Sequence, residues 1–254
     1  MKVLVTFALE SEFAPWRKLR GFKRVSIAAW DRSYRAQVGS ANVRVLITGV
    51  GRFAAQRSMA RAFTDLPADV CISSGLAGSL RSTYRLGEVL AARATCDASG
   101  EHIVYSHSEL LADAVQLGAT RVERLIVSEE VVGSADEKQS LGAFGDAIDM
   151  ESLYVLAASA HNAIPAIAVR AISDGTESNL PLDFNRVFDD RGAVSVPKVI
   201  GQLLAHPQRV GGLLRIARQS QRAASALAAF LDAYVQEISH DPLLEISKAD
   251  AIAV

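Results

Sequence analysis

Short apolar runs of strand length alternate along this chain with stretches of helical spacing, and no other feature restricts its fold as much. The runs are 2–8, 43–48, 69–74, 122–128 and 166–173, with a further strand at 86–95. Between them Ala54, Ala55, Met59, Ala60 and Phe63 fall at helical spacing before Pro67, and 106–118 reads as another helix. Residues 23–38 alternate imperfectly and read as two strands around Trp30–Ser33. Such alternation gives an α/β domain, a sheet wrapped by helices. Folds of this kind place their ligands at the carboxyl ends of strands, so the residues that close each run carry the functional reading.

The most informative closure is Ala147-Ile148-Asp149-Met150-Glu151-Ser152, where a strand pattern gives way to a helical one. No cation lies in the four positions before Asp149, so a local salt bridge is not the reason for these acids. An ionised carboxylate can accept two O–H groups, which suits Asp149 and Glu151 to a vicinal diol. The plainer alternative is a helix N-terminus that favours acids through its dipole. The run 166–173 contains one arginine, Arg170, and ends in Ser173-Asp174-Gly175. A buried arginine needs an anion, and an aspartate at a strand end is well placed for chemistry. A diol clamp beside an acid reads as a sugar site.

Other features bound the function more loosely. With 254 residues, 50% hydrophobic and 22% charged, the chain can build one large core, or one core with an appendage. A net charge of −1 offers no electrostatic case for nucleic acid. Cys71 and Cys96 lack metal-ligand spacing and read as reduced, buried thiols of a cytoplasmic protein; His102, His107 and His161 show no such spacing either, so no metal is expected. The first apolar run meets Glu10 too early for a signal peptide, and no apolar stretch reaches membrane-spanning length. Gly49-Val50-Gly51 follows a strand, but Ala54 stands where a dinucleotide fingerprint needs its last glycine. The small residues Ser73–Gly78 read as a turn that could offer backbone N–H groups to an anion, or as a plain tight turn.

Five segments in order then carry a resemblance: Ala8-Leu9-Glu10-Ser11-Glu12, Thr48-Gly49-Val50-Gly51, Ser74-Gly75-Leu76-Ala77-Gly78, Asp149-Met150-Glu151 and Arg170-Ala171-Ile172-Ser173-Asp174. Together they span roughly residues 1–180, and the chain resembles the purine nucleoside phosphorylase and methylthioadenosine/S-adenosylhomocysteine nucleosidase superfamily. The resemblance implies a mixed, twisted central sheet wrapped by helices over 1–194, with a helical C-terminal extension over 195–254. It implies that Glu12 activates water and that Asp174, oriented by Ser173, protonates the leaving base. Glu151 would bind the ribose hydroxyls with Asp149 secondary, and Met150 would close the apolar face of the sugar. Gly75 would allow close approach, Val131 and Val132 would line the base pocket, and Arg170 would steady Glu12 or bind phosphate. Leu76 departs from the serine common there, and the valine pair departs from the usual stacking aromatic, leaving Tyr105 and Phe184 as candidates for stacking. The valine pair, the Asp-Met-Glu-Ser sequence and the extended end are similar to a subgroup associated with hopanoid synthesis, which implies an adenosylated hopane as substrate.

Three functions stay open at this point. Hydrolysis of a purine N-ribosidic bond is favoured by Glu12, because a carboxylate repels phosphate. Phosphorolysis would use Arg170, the Gly75–Gly78 segment and Arg52 as an anion cradle, with phosphate as co-substrate. A non-catalytic nucleoside-binding module would bind without releasing base. Otherwise no cofactor and no nucleic acid is expected, and the partners are a small nucleoside and further copies of the chain. Residues 175–194, with Asp189-Asp190, read as a lid, and two or three helices follow from 196, one starting near Pro197. Between 201 and 222 there is no acid, while Arg209, Arg215, Arg218 and Arg222 are basic. That stretch reads as a solvated stripe or as a peripheral membrane contact.

Overall fold

One strand organises the sheet. The computed structural model describes residues 1–27, 30–181 and 207–239, with 183, 185, 195 and 202. The strands are β1 (Lys2–Phe7), β2 (Lys23–Ile27), β3 (Trp30–Val38), β4 (Ala41–Ile47), β5 (Val70–Ser79), β6 (Val89–Asp97), β7 (Ile103–Tyr105), β8 (Thr120–Val127), β9 (Ala147–Asp149) and β10 (Ala166–Asp174). The α-helices are α1 (Glu10–Arg20), α2 (Arg52–Met59), α3 (Ala62–Asp65), α4 (Ser108–Gln116), α5 (Ala135–Leu141), α6 (Ser152–His161) and α7 (Val210–Ile238). β5 is flanked along one edge by β10, paired in parallel from Cys71 to Gly78. Its other edge is shared: β1 takes residues 70–73, and β9 takes Gly78 and Ser79. Strands β5, β10, β6, β8 and β9 thus close a ring, and β1, β4, β3 and β2 continue the sheet outward.

The shared edge creates the crevice. β1 ends its pairing at Ser73 and β9 begins at Gly78, so residues 74–77 have no strand partner on that side. Backbone N–H groups there must find other acceptors. This corrects the expected turn over Ser73–Gly78, because those residues stay extended and β10 holds them in register, Arg170 opposite Gly75 and Asp174 opposite Gly78. They expose a strand edge rather than an anion-binding nest. Other boundaries also shift. Trp30–Ser33 lie within β3 rather than between strands, and β6 runs 89–97 rather than 86–95. β7 and α5 were not foreseen by the periodicity.

Helices cover both faces. On one side Phe7, Phe13, Trp16, Ile72, Leu110, Leu227, Leu231 and Tyr234 join α1, α4 and α7 to the sheet. On the other, Leu4, Met59, Cys71, Val155 and Leu156 bury α2 and α6. The C-terminal periodicity resolves into a single helix of 29 residues, α7, rather than separate helices through Ile216 and Leu231. Its only glycines, Gly211 and Gly212, fall in the first turn, so nothing inside it breaks the spacing. Asp232 of α7 accepts from the Trp16 indole at 3.2 Å and pairs with the Arg20 guanidinium, and the Tyr234 hydroxyl donates to the Leu110 carbonyl at 2.7 Å. Near the start of α7, Arg209, Arg215, Arg218 and Arg222 are exposed, as are Val210 and Leu214. The expected helix near Pro197, and Asp189-Asp190 of the expected lid, lie outside the described residues. No described helix is long and apolar enough to cross a membrane.

Candidate active site

Glu12 reaches the open edge of β5 because of how α1 begins. It stands in the first turn, and its side chain turns back to accept from the N–H of Ala8 at 3.1 Å and of Leu9 at 3.0 Å. These are the donors that a helix start leaves unpaired. The other carboxylate oxygen accepts from the Leu76 N–H at 3.2 Å, which satisfies the unpartnered stretch of β5. Glu12 is buried, and Phe13 and Trp16 of the same helix pack with Phe7 and Phe22 into an aromatic cluster. Burial raises its pKa above the ordinary carboxylate value, and the three backbone donors and the charge of Arg170 only partly oppose that. A Cβ on Gly75 would stand 3.4 Å from Glu12 Oε1, so a glycine there leaves room for the carboxylate.

Asp174 is held by a different chemistry. At the end of β10 its Oδ1 accepts from the Ser173 hydroxyl at 2.7 Å, which has the Ala77 carbonyl as a longer alternative at 3.3 Å. Its Oδ2 receives the ammonium of Lys138, a fully buried side chain of α5. Lys138 also donates to the carbonyls of Gly175 and Ser178, each at 3.2 Å. Sequence reasoning missed this lysine. The available signal was Ser134-Ala135-Asp136-Glu137, whose spacing is that of a capping box: Glu137 N–H donates to Ser134 Oγ at 3.3 Å, and the Glu137 carboxylate accepts from Ser134. That motif starts the helix that carries Lys138.

The acids of the 147–152 segment separate. Asp149, 5% exposed, accepts from Arg170 Nε at 2.7 Å and from the Ser152 hydroxyl at 2.9 Å. Arg170 donates in addition to the Ser73 carbonyl at 2.6 Å, the Val169 carbonyl at 2.9 Å and the Ser73 hydroxyl at 3.0 Å. Its donors are engaged inside the sheet. This corrects the expectation that Arg170 binds phosphate, and it leaves Asp149 an ion-pair partner at the pocket wall rather than a free acceptor. The other expected phosphate cation, Arg52, lies 2.6 Å from Glu129. The Glu151 carboxylate keeps an open side, accepting only from the Gly51 N–H at 2.7 Å among its described hydrogen bonds. Burial, reinforced by the negative charge of Asp149, pushes Glu151 up to about 8.

These groups share one pocket, lined by Glu12, Leu76, Val131, Val132, Ile148, Met150, Glu151, Ser173 and Asp174 among others. Among the described residues, Glu130 and Asp149 complete a set of five acidic side chains in its wall, and no described lysine or arginine is part of it. Asn185 fixes the Val131 peptide, accepting from its N–H at 2.6 Å and donating to its carbonyl at 3.3 Å. Leu180 N–H donates to the Gly133 carbonyl at 2.8 Å, so the segment after Asp174 packs along the Val131–Val132 side. Tyr105 is 60% exposed on β7 under the Arg93 guanidinium and does not line the pocket, which removes it as a stacking partner. Phe184 lies outside the described residues.

The fold recurs in solved structures. A futalosine hydrolase mutant from Helicobacter pylori superposes with a TM-score of 0.72 at 15% identity, covering 93% of this chain and 99% of that one. The 5′-methylthioadenosine/S-adenosylhomocysteine nucleosidase of Neisseria meningitidis, bound to methylthio-immucillin-A, gives 0.70 at 18% identity, with 93% and 99% covered. The S-adenosylhomocysteine nucleosidase of Streptococcus pyogenes gives 0.72 at 16% identity, with 93% and 97% covered. Residues 107–205 match the family model described as the phosphorylase superfamily. Those residues contain β8, β9, α5 and β10, and so Lys138, Glu151 and Asp174; the match to the phosphorylase superfamily thus covers that part of the chain, while the solved structures share its fold.

Proposed function

We propose that this protein is a nucleosidase that hydrolyses the N-ribosidic bond of a purine nucleoside. The observation that carries the reading is the described part of the pocket wall, where Glu12 is held by backbone N–H groups alone and the two nearby cations, Arg170 and Lys138, are already paired with Asp149 and Asp174. Phosphate would enter such a wall against Coulomb repulsion, whereas water enters without it. Glycoside cleavage passes through a cationic, oxocarbenium-like sugar, which a ring of carboxylates stabilises more than it stabilises the neutral ground state.

The residues divide the work as follows. Glu151 accepts the ribose hydroxyls, and Met150 packs the apolar face of the ring. Glu12 takes a proton from the water that attacks C1′. Asp174, steadied by Ser173, delivers a proton to the departing base, which rests against Val131, Val132 and Ile148. Gly75 and Gly78, beside Glu12 and Asp174 respectively, lie three residues apart on β5, about 10 Å along the strand. Base and acid therefore sit apart, with room for the sugar and its scissile bond between them. Adenine is the proposed base. Among 5′-substituted adenosines, the valine pair and the Asp-Met-Glu-Ser sequence make an adenosylated hopane the lipid-linked substrate to test.

The test is base release from methylthioadenosine, adenosine, inosine and a lipid-linked adenosine, with and without phosphate. The expected products are free base and the ribose that still carries its own 5′-substituent, at a rate independent of phosphate. Ribose 1-phosphate formed only in phosphate buffer overturns hydrolysis in favour of phosphorolysis. Binding without any release leaves a nucleoside-binding module.

A further inference from the structure

We infer that the proton given to the leaving base originates on Lys138 and passes through Asp174, so that the acid of this site is the lysine–aspartate pair and not the aspartate alone. The inference rests on the nucleosidase reading and adds to it a positioning residue from α5.

Three observations carry it. The Lys138 Nζ has three acceptors: Asp174 Oδ2 and the carbonyls of Gly175 and Ser178. A neutral amine has two hydrogens and would turn its lone pair on one of these oxygens, so the arrangement is that of an ammonium. Both oxygens of Asp174 in turn receive a donor, from Lys138 and from Ser173. An aspartate with both oxygens accepting is arranged as a carboxylate and has no proton of its own to give. Finally, Lys138 is fully buried and does not line the pocket, so it reaches a substrate only through Asp174. An ammonium is kept out of water at a large solvation cost.

Among the described residues, the other ionisable groups that line the pocket of the pair are acidic. Glu12, Glu130, Asp149 and Glu151 line the same pocket as Asp174. Glu137, next to Lys138 on α5, turns to Ser134 instead. The step balances without a further reactant. As the C1′–N bond breaks, its electron pair goes to the base, and Asp174 places a proton on a base nitrogen while receiving one from Lys138. Water loses a proton to Glu12 as its oxygen bonds to C1′. The lysine ends one proton short and Glu12 one proton rich, and exchange with solvent after product release restores both.

The test uses the full chain and two substrates. One is the best purine nucleoside; the other is 4-nitrophenyl β-D-ribofuranoside, whose leaving group departs without a proton. Lys138→Met should cut purine release at neutral pH by about a hundredfold. Lys138→Arg keeps the charge and the hold on Asp174, but a guanidinium does not release its proton, so the same loss at neutral pH is expected. Both variants should lose far less on the nitrophenyl riboside than on the purine nucleoside, which shows that the site is assembled. Wild-type purine release by Lys138→Arg overturns the inference and leaves Lys138 as an electrostatic prop. Equal loss of both substrates in Lys138→Arg also overturns it, as a structural effect, and decides the matter where Lys138→Met does not fold. If the wild type releases no base from any nucleoside, the nucleosidase reading fails first.

Discussion

Glu12 and Asp174 carry the same functional group at the same pocket, yet the chain surrounds them differently. Glu12 accepts three backbone N–H groups from two elements, α1's first turn and the open edge of β5. Asp174 accepts from a hydroxyl and a buried ammonium. Backbone donors are fixed dipoles that orient a carboxylate without exchanging a proton with it. An ammonium can give its proton away. In the proposed mechanism this difference gives Glu12 the proton taken from water and Asp174 the proton passed to the base. Burial adds to the contrast, because it raises the pKa of Glu12 and so makes the anion a better base.

The largest expected effect tests the Glu12 side. Glu12→Gln keeps the shape and one acceptor, but the amide cannot take a proton from water. Turnover should fall by on the order of a hundred- to ten-thousandfold, for purine nucleosides and for 4-nitrophenyl riboside alike, since both need activated water. Asp174→Asn should lose a similar factor on purine nucleosides while sparing the nitrophenyl substrate, and bound substrate should remain detectable by calorimetry. If the two variants respond identically to the two substrates, base and acid have not been told apart.

Glu151 offers a sharper and smaller test. Its pKa is pushed up to about 8 by burial and by Asp149, so in the free protein it is mostly protonated at neutral pH. An acid raised in this way ionises as pH rises, and the anion is the better acceptor for two ribose hydroxyls. The kcat/KM for a ribonucleoside should therefore climb about tenfold between pH 7 and pH 9. Glu151→Gln should flatten that climb, leave only the acid-side fall caused by Glu12, and narrow the preference for ribo- over 2′-deoxyribonucleosides. A pH profile and a ribo/deoxy ratio both unchanged in the variant would remove Glu151 from sugar recognition.

Strand ends pointed to Asp149, Glu151 and Asp174, and the family resemblance added Glu12 and Ser173. Glu12, Glu151, Ser173 and Asp174 each follow an apolar run, and the sheet brings those ends together. What the residues did not reveal depends on pairing across the chain. A buried arginine demanded an anion, but only the parallel pairing of β8 with β9, and β10 beside β5, places Asp149 rather than phosphate at Arg170. Small residues at 75–78 looked like a turn because nothing local shows that β10 holds them extended. Lys138 lies 36 residues from Asp174 on a helix of seven residues, too short for its periodicity to show which side is buried.

The smallest effects come from the glycines behind the two carboxylates, and they compare the two surroundings directly. A Cβ on Gly78 would stand 3.1 Å from Asp174 Oδ2, the oxygen held by Lys138, and 3.4 Å from the Ile148 side chain. At Gly75 the nearest atom is Glu12 Oε1 at 3.4 Å. The contact at Gly78 is the tighter, and the oxygen there cannot retreat without lengthening its bond to the ammonium. Gly78→Ala should therefore lower kcat on purine nucleosides by about tenfold, an effect of roughly 1.4 kcal/mol on the barrier, with the nitrophenyl riboside hardly affected. Gly75→Ala should instead lower both substrates together, because the crowded group is the one that handles water. A Gly78→Ala variant that lost both substrates equally would show that the contact disturbs the pocket as a whole, and that the Lys138–Asp174 geometry is not what the glycine protects.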